Sequence, residues 1–87
     1  MTVHLFHEFP ADEQEDVKAA CARFGFIPLD FEITDEDAYP VGPAAIHREV
    51  RVLRLINGKL SLYDAGPGTA WTVAFETELQ AGAFGRP

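Results

Sequence analysis

The chain has 87 residues, 47% of them hydrophobic and 24% charged, and its acidic side chains outnumber the basic ones to give a net charge of −7 at pH 7. This is the composition of one small globular domain, residues 1–87, and it excludes a disordered chain, a collagen-like repeat and a disulfide scaffold. The negative balance also argues against non-specific binding to phosphate backbones, which runs on net positive charge.

Cys21 is the single cysteine, so no internal disulfide can form. The lack of paired cysteines points to a reducing compartment. No apolar stretch approaches the ~20 residues of a membrane span. Residues 1–8 carry no Lys or Arg and no long apolar run, unlike a secretory signal. The expectation is a soluble, cytoplasmic protein. Charge is unevenly spread: residues 1–46 hold ten acids and two bases, and residues 47–87 hold four acids and five bases.

Taken in order, residues 2–9 alternate loosely, with Val3, Leu5 and Phe9 on one side, and predict a strand. Pro10 then opens a helix to about Phe24. Val17, Ala20, Cys21 and Phe24 fall on one helical face, and Asp12, Glu13, Glu15 and Asp16 crowd the first turns, where the helix dipole favours negative charge. Gly25 fits the left-handed position that ends a helix, with Phe26 packing back. Ile27 to Ile33 alternates strictly, with Ile27, Leu29, Phe31 and Ile33 facing one way and Asp30 and Glu32 the other, which predicts a half-buried strand. Pro28 lacks an N–H and places this strand at a sheet edge, or its start near that residue. Residues 34–46, with Pro40, Gly42, Pro43 and three consecutive acids, read as a loop.

Asn57-Gly58 between alternating runs predicts a hairpin closed by a type I′ turn. That turn sets Leu53 opposite Leu62, Leu55 opposite Leu60, Val52 opposite Tyr63 and Arg51 opposite Asp64. The four leucines then share one face, and a one-residue slip would throw them to the other. Residues 70–82 suit both alternation and a helix. Helix is favoured by their length and by Ala70 and residues 76–81, with Thr69 as N-cap and Gly82 as stop. The tail 83–87 is expected to be loose unless Phe84 docks.

The predicted order is β-α-β-β-β-α: a two-layer α+β domain with a small, mostly antiparallel sheet and both helices on one face. The helices would cover the leucine face. The strand–hairpin–helix end resembles the element order of double-stranded RNA-binding domains. The second helix carries no Lys or Arg, and no residue role is carried over.

The opposite hairpin face holds Arg48, Val50, Val52, Arg54, Ile56, Lys59, Ser61 and Tyr63. Apolar side chains rimmed by bases form an expected interaction surface, for a protein partner or a second copy. The competing arrangement pairs these bases with Asp30 and Glu32 and folds residues 34–46 over the rest. A nucleic-acid-binding module through Arg48, Arg54, Lys59 and Tyr63 is the alternative, since stacking on Tyr63 and phosphate contact suit single strands. The acidic half would repel phosphate. A small enzyme without a recognisable motif is the second alternative, because no acid–base–nucleophile set can be drawn. Cys21 lies on the apolar helix face and Ser61, the only serine, sits mid-strand.

No cofactor, metal or catalytic residue is assigned. Asp30, Glu32, Asp35, Glu36 and Asp37 lack the order of a calcium-binding loop and read as a solvated loop, as partners for the arginines, or as a contact for a basic protein. His4 and His7 point to opposite faces of a strand and cannot share zinc. Gly66-Pro67-Gly68-Thr69 is too short for a P-loop and lacks its Lys.

Overall fold

The computed structural model describes residues 2–38, 47–65 and 70–87. The strands are β1 (Thr2–Leu5), β2 (Phe31–Ala38), β3 (His47–Arg54) and β4 (Leu60–Asp64), and the helices are α1 (Ala11–Phe24) and α2 (Trp71–Ala81). Short 3-10 turns at Phe6–Glu8 and Pro28–Asp30 precede α1 and β2. The strands form one antiparallel sheet in the order β1-β2-β3-β4. Both helices pack on one of its faces, which gives the expected two-layer α+β architecture.

α1 forms as its pattern dictates. Val17, Ala20 and Cys21 make its buried stripe, and Asp12 and Glu13 occupy the first turn. Gly25 stops it at φ 80°, a left-handed conformation that costs a residue with a Cβ, and the Phe26 N–H donates back to the Cys21 carbonyl at 2.8 Å. Phe26 is thereby delivered to the core beside Phe31. α2 buries Trp71, Thr72, Phe75 and Leu79 and ends at Gly82, which also adopts the left-handed conformation. Its N-cap position is Ala70. Thr69, expected in that role, lies outside the described residues.

Four local expectations are corrected. First, β1 ends at Leu5. Glu8 folds back so that its carboxylate accepts the Leu5 N–H at 2.9 Å, and the Phe9 N–H bonds the Phe6 carbonyl at 3.0 Å. The chain turns, and Phe9 enters the core from that turn rather than from a strand. Second, the strand expected over 27–33 begins only at Phe31. Pro28 opens a 3-10 turn closed by the Asp30 N–H on the Ile27 carbonyl. β2 then runs through the three consecutive acids to Ala38, where a loop was expected. Period 2 puts Phe31, Ile33 and Asp35 inward and Glu32, Thr34 and Glu36 outward, so the strand survives once Asp35 finds partners inside. The remainder of the expected loop, 39–46, lies outside the described residues.

Third, the hairpin register differs by two residues. Leu53 stands opposite Leu60, Arg51 opposite Leu62 and Val50 opposite Tyr63. Among the described residues, none but glycine has a positive φ. Asn57 therefore does not form the type I′ turn, which needs φ > 0 at both positions. The strands are joined instead through residues 55–59, closed by the Arg54 N–H on the Lys59 carbonyl and the Gly58 N–H on the Arg54 carbonyl, both at 2.8 Å. A shift of two preserves which residues share a face.

Fourth, the helices cover the face opposite the leucines. Val50 and Val52 are fully buried and Tyr63 nearly so, while Leu60 and Leu62 are 47% and 53% exposed. β2 decides this. Ile33 pairs with Val52 and Phe31 with Arg54, so the apolar side of β2 continues the valine side of β3. The leucines continue the side that carries Glu32 and Glu36.

The tail is docked. Phe84 is wholly buried, with ring centroids 5.4 Å from Phe31 and 5.8 Å from Phe75. Arg54, only 4% exposed, holds it there: Nη1 donates to the Phe84 carbonyl at 2.9 Å and to the Arg86 carbonyl, and Asn57 Nδ2 donates to the same Phe84 oxygen. The guanidinium lies over Phe26 and Phe31 at 5.0 and 5.9 Å, with the Asp30 carboxylate 4.0 Å away. Phe84→Ala is expected to lower the unfolding free energy by about 3–5 kcal/mol. That is a large share of the stability of a domain this size. Urea denaturation checks it, and a loss below about 1 kcal/mol would contradict the docked tail.

Candidate interaction surface

The expected surface residues divide sharply. Val50, Val52 and Tyr63 are core, and Arg54 is the buried clamp on the tail. Arg48 is engaged by two carboxylates. Ile56 and Lys59, in the β3–β4 connection, are exposed. The valine face of the hairpin is therefore not a contact surface. Arg48, Arg54, Lys59 and Tyr63 likewise form no common exposed patch on which a nucleic acid could lie.

Arg48 belongs to a polar network in which Asp35 comes from the acidic stretch expected to offer partners to the arginines, while Glu13 and His4 were not expected there. Its Nε donates to Asp35 Oδ2 at 2.6 Å, and Nη1 and Nη2 grip both oxygens of Glu13 at 2.9 and 2.8 Å. The guanidinium carbon stands 4.8 Å over the Phe9 ring. The other Asp35 oxygen lies 2.7 Å from His4 Nδ1 and accepts the His4 N–H. Bidentate charge-assisted bonds are the strong class, and this set ties β1, β2, β3 and α1 together. The hydrogen bond from Arg48 to Glu13 pushes the Arg48 pKa further up, against burial. The available signal was the alternation itself: Phe31 and Ile33 inward put Asp35 inward too, and a buried carboxylate requires a cation.

The other expected sites fall as follows. Asp30 sits beside Arg54 and Asp35 on Arg48, so part of the acidic stretch answers the arginines internally. His4 is held by Asp35, and His7 is exposed in the 3-10 turn. Residues 66–69 lie outside the described residues. Ser61 donates to Glu78 at 2.8 Å. The Tyr63 hydroxyl is buried, and burial, reinforced by the Glu78 charge, raises its pKa. Cys21 is fully buried, and burial, with the Asp30 charge second, pushes its thiol up to about 11 from the ordinary 9.0.

The surface that remains is the outer face of the sheet. Cross-strand register lays it out in rows. One row runs Val3, Glu36, Glu49, Asp64. The next runs Leu5, Thr34, Arg51, Leu62. The third is Glu32, Leu53, Leu60. Val3, Leu5, Leu60 and Leu62 are exposed, and Leu53 is half-buried. Leu29, Leu55 and Ile56 add exposed apolar groups where the Pro28–Asp30 turn meets the hairpin loop, joined by the Leu55 N–H on the Asp30 carbonyl. Glu36 directly opposes Glu49, a like-charge pair that weakens a sheet. Arg51 stands near the middle, and Glu32, Thr34, Arg51, Leu53 and Leu60 line a shallow cleft of about 160 Å³.

No family model, no curated protein and no solved structure matches this chain.

The buried thiol gives a test of the core. A thiolate is the reactive form, so the native Cys21 is expected to react with a disulfide reagent at pH 8 roughly 100-fold more slowly than in the unfolded chain. Because its folded pKa lies above its unfolded one, Cys21 contributes stability that is complete below pH 9 and is lost as pH rises towards about 11. Unfolding curves measured from pH 8 to 11 are expected to fall more steeply for the native sequence than for Cys21→Ala. Equal slopes would contradict the assignment.

Proposed function

We propose that this chain is a protein-interaction module that uses the outer face of its sheet, and that the face takes a partner segment both apolar and basic. The observation that carries the reading is the set Val3, Leu5, Leu60 and Leu62, exposed on the sheet side that the helices leave open. An antiparallel sheet with one open face ordinarily presents polar residues there. The set falls into two groups, Val3 and Leu5 on β1 and Leu60 and Leu62 on β4, with Thr34 and Arg51 between them, and exposed apolar groups bordered by polar ones mark interaction sites.

Charge selects among partners. The face carries Glu32, Glu36 and Glu49 against Arg51, on a chain of net charge −7. A second copy packed face to face would bring the acidic row against acids or leucines, and nucleic acid would add phosphates to carboxylates. A basic amphipathic segment answers the leucines and the acids together. The lone buried cysteine supports a cytoplasmic location as part of the same reading.

The test is an amide-resolved NMR titration with two helical peptides, one of Leu and Lys and one of Leu and Glu, beside light scattering across concentration. The Leu/Lys peptide is expected to bind, to shift Leu53, Leu60 and Leu62, and to lose roughly tenfold in affinity with Leu62→Glu. That substitution is at an exposed position and is expected to leave stability within about 0.5 kcal/mol. Shifts confined to the helices, or equal affinity for the variant, would overturn the surface. Self-association through this face would overturn the basic partner.

A further inference from the structure

A second surface lies where β1 stops short. β2 begins at Phe31, but β1 pairs only with residues 34–37, so Phe31, Glu32 and Ile33 have β3 on one side and, among the described residues, no strand on the other. The turn that removes β1 is built rather than frayed. Glu8 caps the Leu5 N–H, and Gln14 Nε2 donates to the Phe9 carbonyl at 2.8 Å and the His7 carbonyl at 3.3 Å, which fastens the turn to α1. Between this turn and the start of β2 runs a groove of about 610 Å³. Leu5 and Phe6 form one wall, Leu29 and Ile33 the other, and Lys18 reaches it from α1. Its volume is that of a binding site. Leu29 at its mouth is 87% exposed.

The main chain shows what the slot recognises. The Leu55 N–H donates to the Asp30 carbonyl, so Asp30 directs its backbone towards β3. By antiparallel alternation Glu32 does the same, and Phe31 and Ile33 direct theirs towards the slot. The Phe31 N–H is engaged there by the Pro28 carbonyl. The side chains alternate as well, with Phe31 and Ile33 buried on the helix side and Glu32 exposed on the outer face.

We infer that the Phe31–Ile33 edge accepts an extended peptide of a partner as an added strand, with side chains in the order apolar, basic, apolar. The apolar residues opposite Phe31 and Ile33 enter the groove against Phe6, Ile33 and the Lys18 stem. The basic residue opposite Glu32 stands on the outer face, within cross-strand reach of its carboxylate. Strand addition of this kind takes affinity from the backbone and specificity from alternate side chains. A second copy of this chain is disfavoured as the occupant, because antiparallel pairing centred on Glu32 sets that carboxylate against its own copy.

The experiment uses blocked seven-residue peptides, Thr-Thr-Val-Lys-Val-Thr-Thr and its Val-Glu-Val counterpart, titrated into the intact chain with amide signals as readout. The lysine peptide is expected to shift Leu5, Phe31, Glu32 and Ile33 and to bind roughly three- to tenfold tighter than the glutamate peptide. Glu32→Lys, at an exposed position, is expected to invert that preference. N-methylation of both valines is expected to abolish binding. Leu62→Glu, on the far strand, is expected to leave it unchanged, which separates this site from the outer-face surface. Absence of shifts at Phe31–Ile33, full binding by the N-methylated peptide, or an unchanged preference in Glu32→Lys would each overturn the inference.

Discussion

Two helices can cover one face of a four-stranded sheet, and β2 determines which face that is. Its inner side carries Phe31 and Ile33, and its outer side carries Glu32, Thr34 and Glu36. Burying the outer side would strip water from carboxylates that form no ion pair among the described residues, at a cost of several kcal/mol each. Once Ile33 is committed inward, register pulls Val52 and Val50 in behind it. Trp71, Phe75 and Phe84 then close over the assembled surface as a chain of tilted and edge-on rings. The open leucines are a consequence of that choice rather than an independent feature of the hairpin.

The parts legible in the sequence are those governed by one segment at a time. The apolar stripe and Gly25 stop of α1, the helical preference of 71–81 with its stop at Gly82, and the sharing of a face by Leu53, Leu60 and Leu62 all follow from local periodicity and turn chemistry. The parts that were not legible depend on two segments together. The hairpin presents valines on one side and leucines on the other, so its own pattern is symmetric in hydrophobicity and does not name its buried face. The same holds for the run Asp35-Glu36-Asp37. Taken alone it resembles a solvated loop, and it becomes a strand because Arg48 on β3, itself held by Glu13 on α1, pairs with the inward Asp35. The expected interaction surface failed for this reason: Val50, Val52 and Tyr63 are apolar because they are core.

The uneven charge of the chain has a structural counterpart. Arg48 and Arg54 come from the half that carries the bases, and their carboxylate partners Glu13, Asp35 and Asp30 come from the acidic half. Each arginine also lies over aromatic rings, Arg48 over Phe9 and Arg54 over Phe26 and Phe31, where a planar, weakly hydrated cation is better tolerated than an ammonium. The acids left facing outward, Glu32, Glu36 and Glu49, have no ion pair among the described residues. They are the part of the charge directed at solvent or at a partner.

The docking of Phe84 bears on how the domain assembles. Arg54 bonds a carbonyl 30 positions further along the chain, and the same phenylalanine wedges between a strand and a helix that meet only in the folded state. The hairpin therefore has no finished apolar surface of its own to rest on, and α2 has none until its trailing residues turn back. Such closures tie early and late segments into one transition, because a long loop must be closed before either end gains its contacts. Partial unfolding from the C-terminal end would open the aromatic centre directly, so the tail and the core are expected to exchange their amide protons as one cooperative unit.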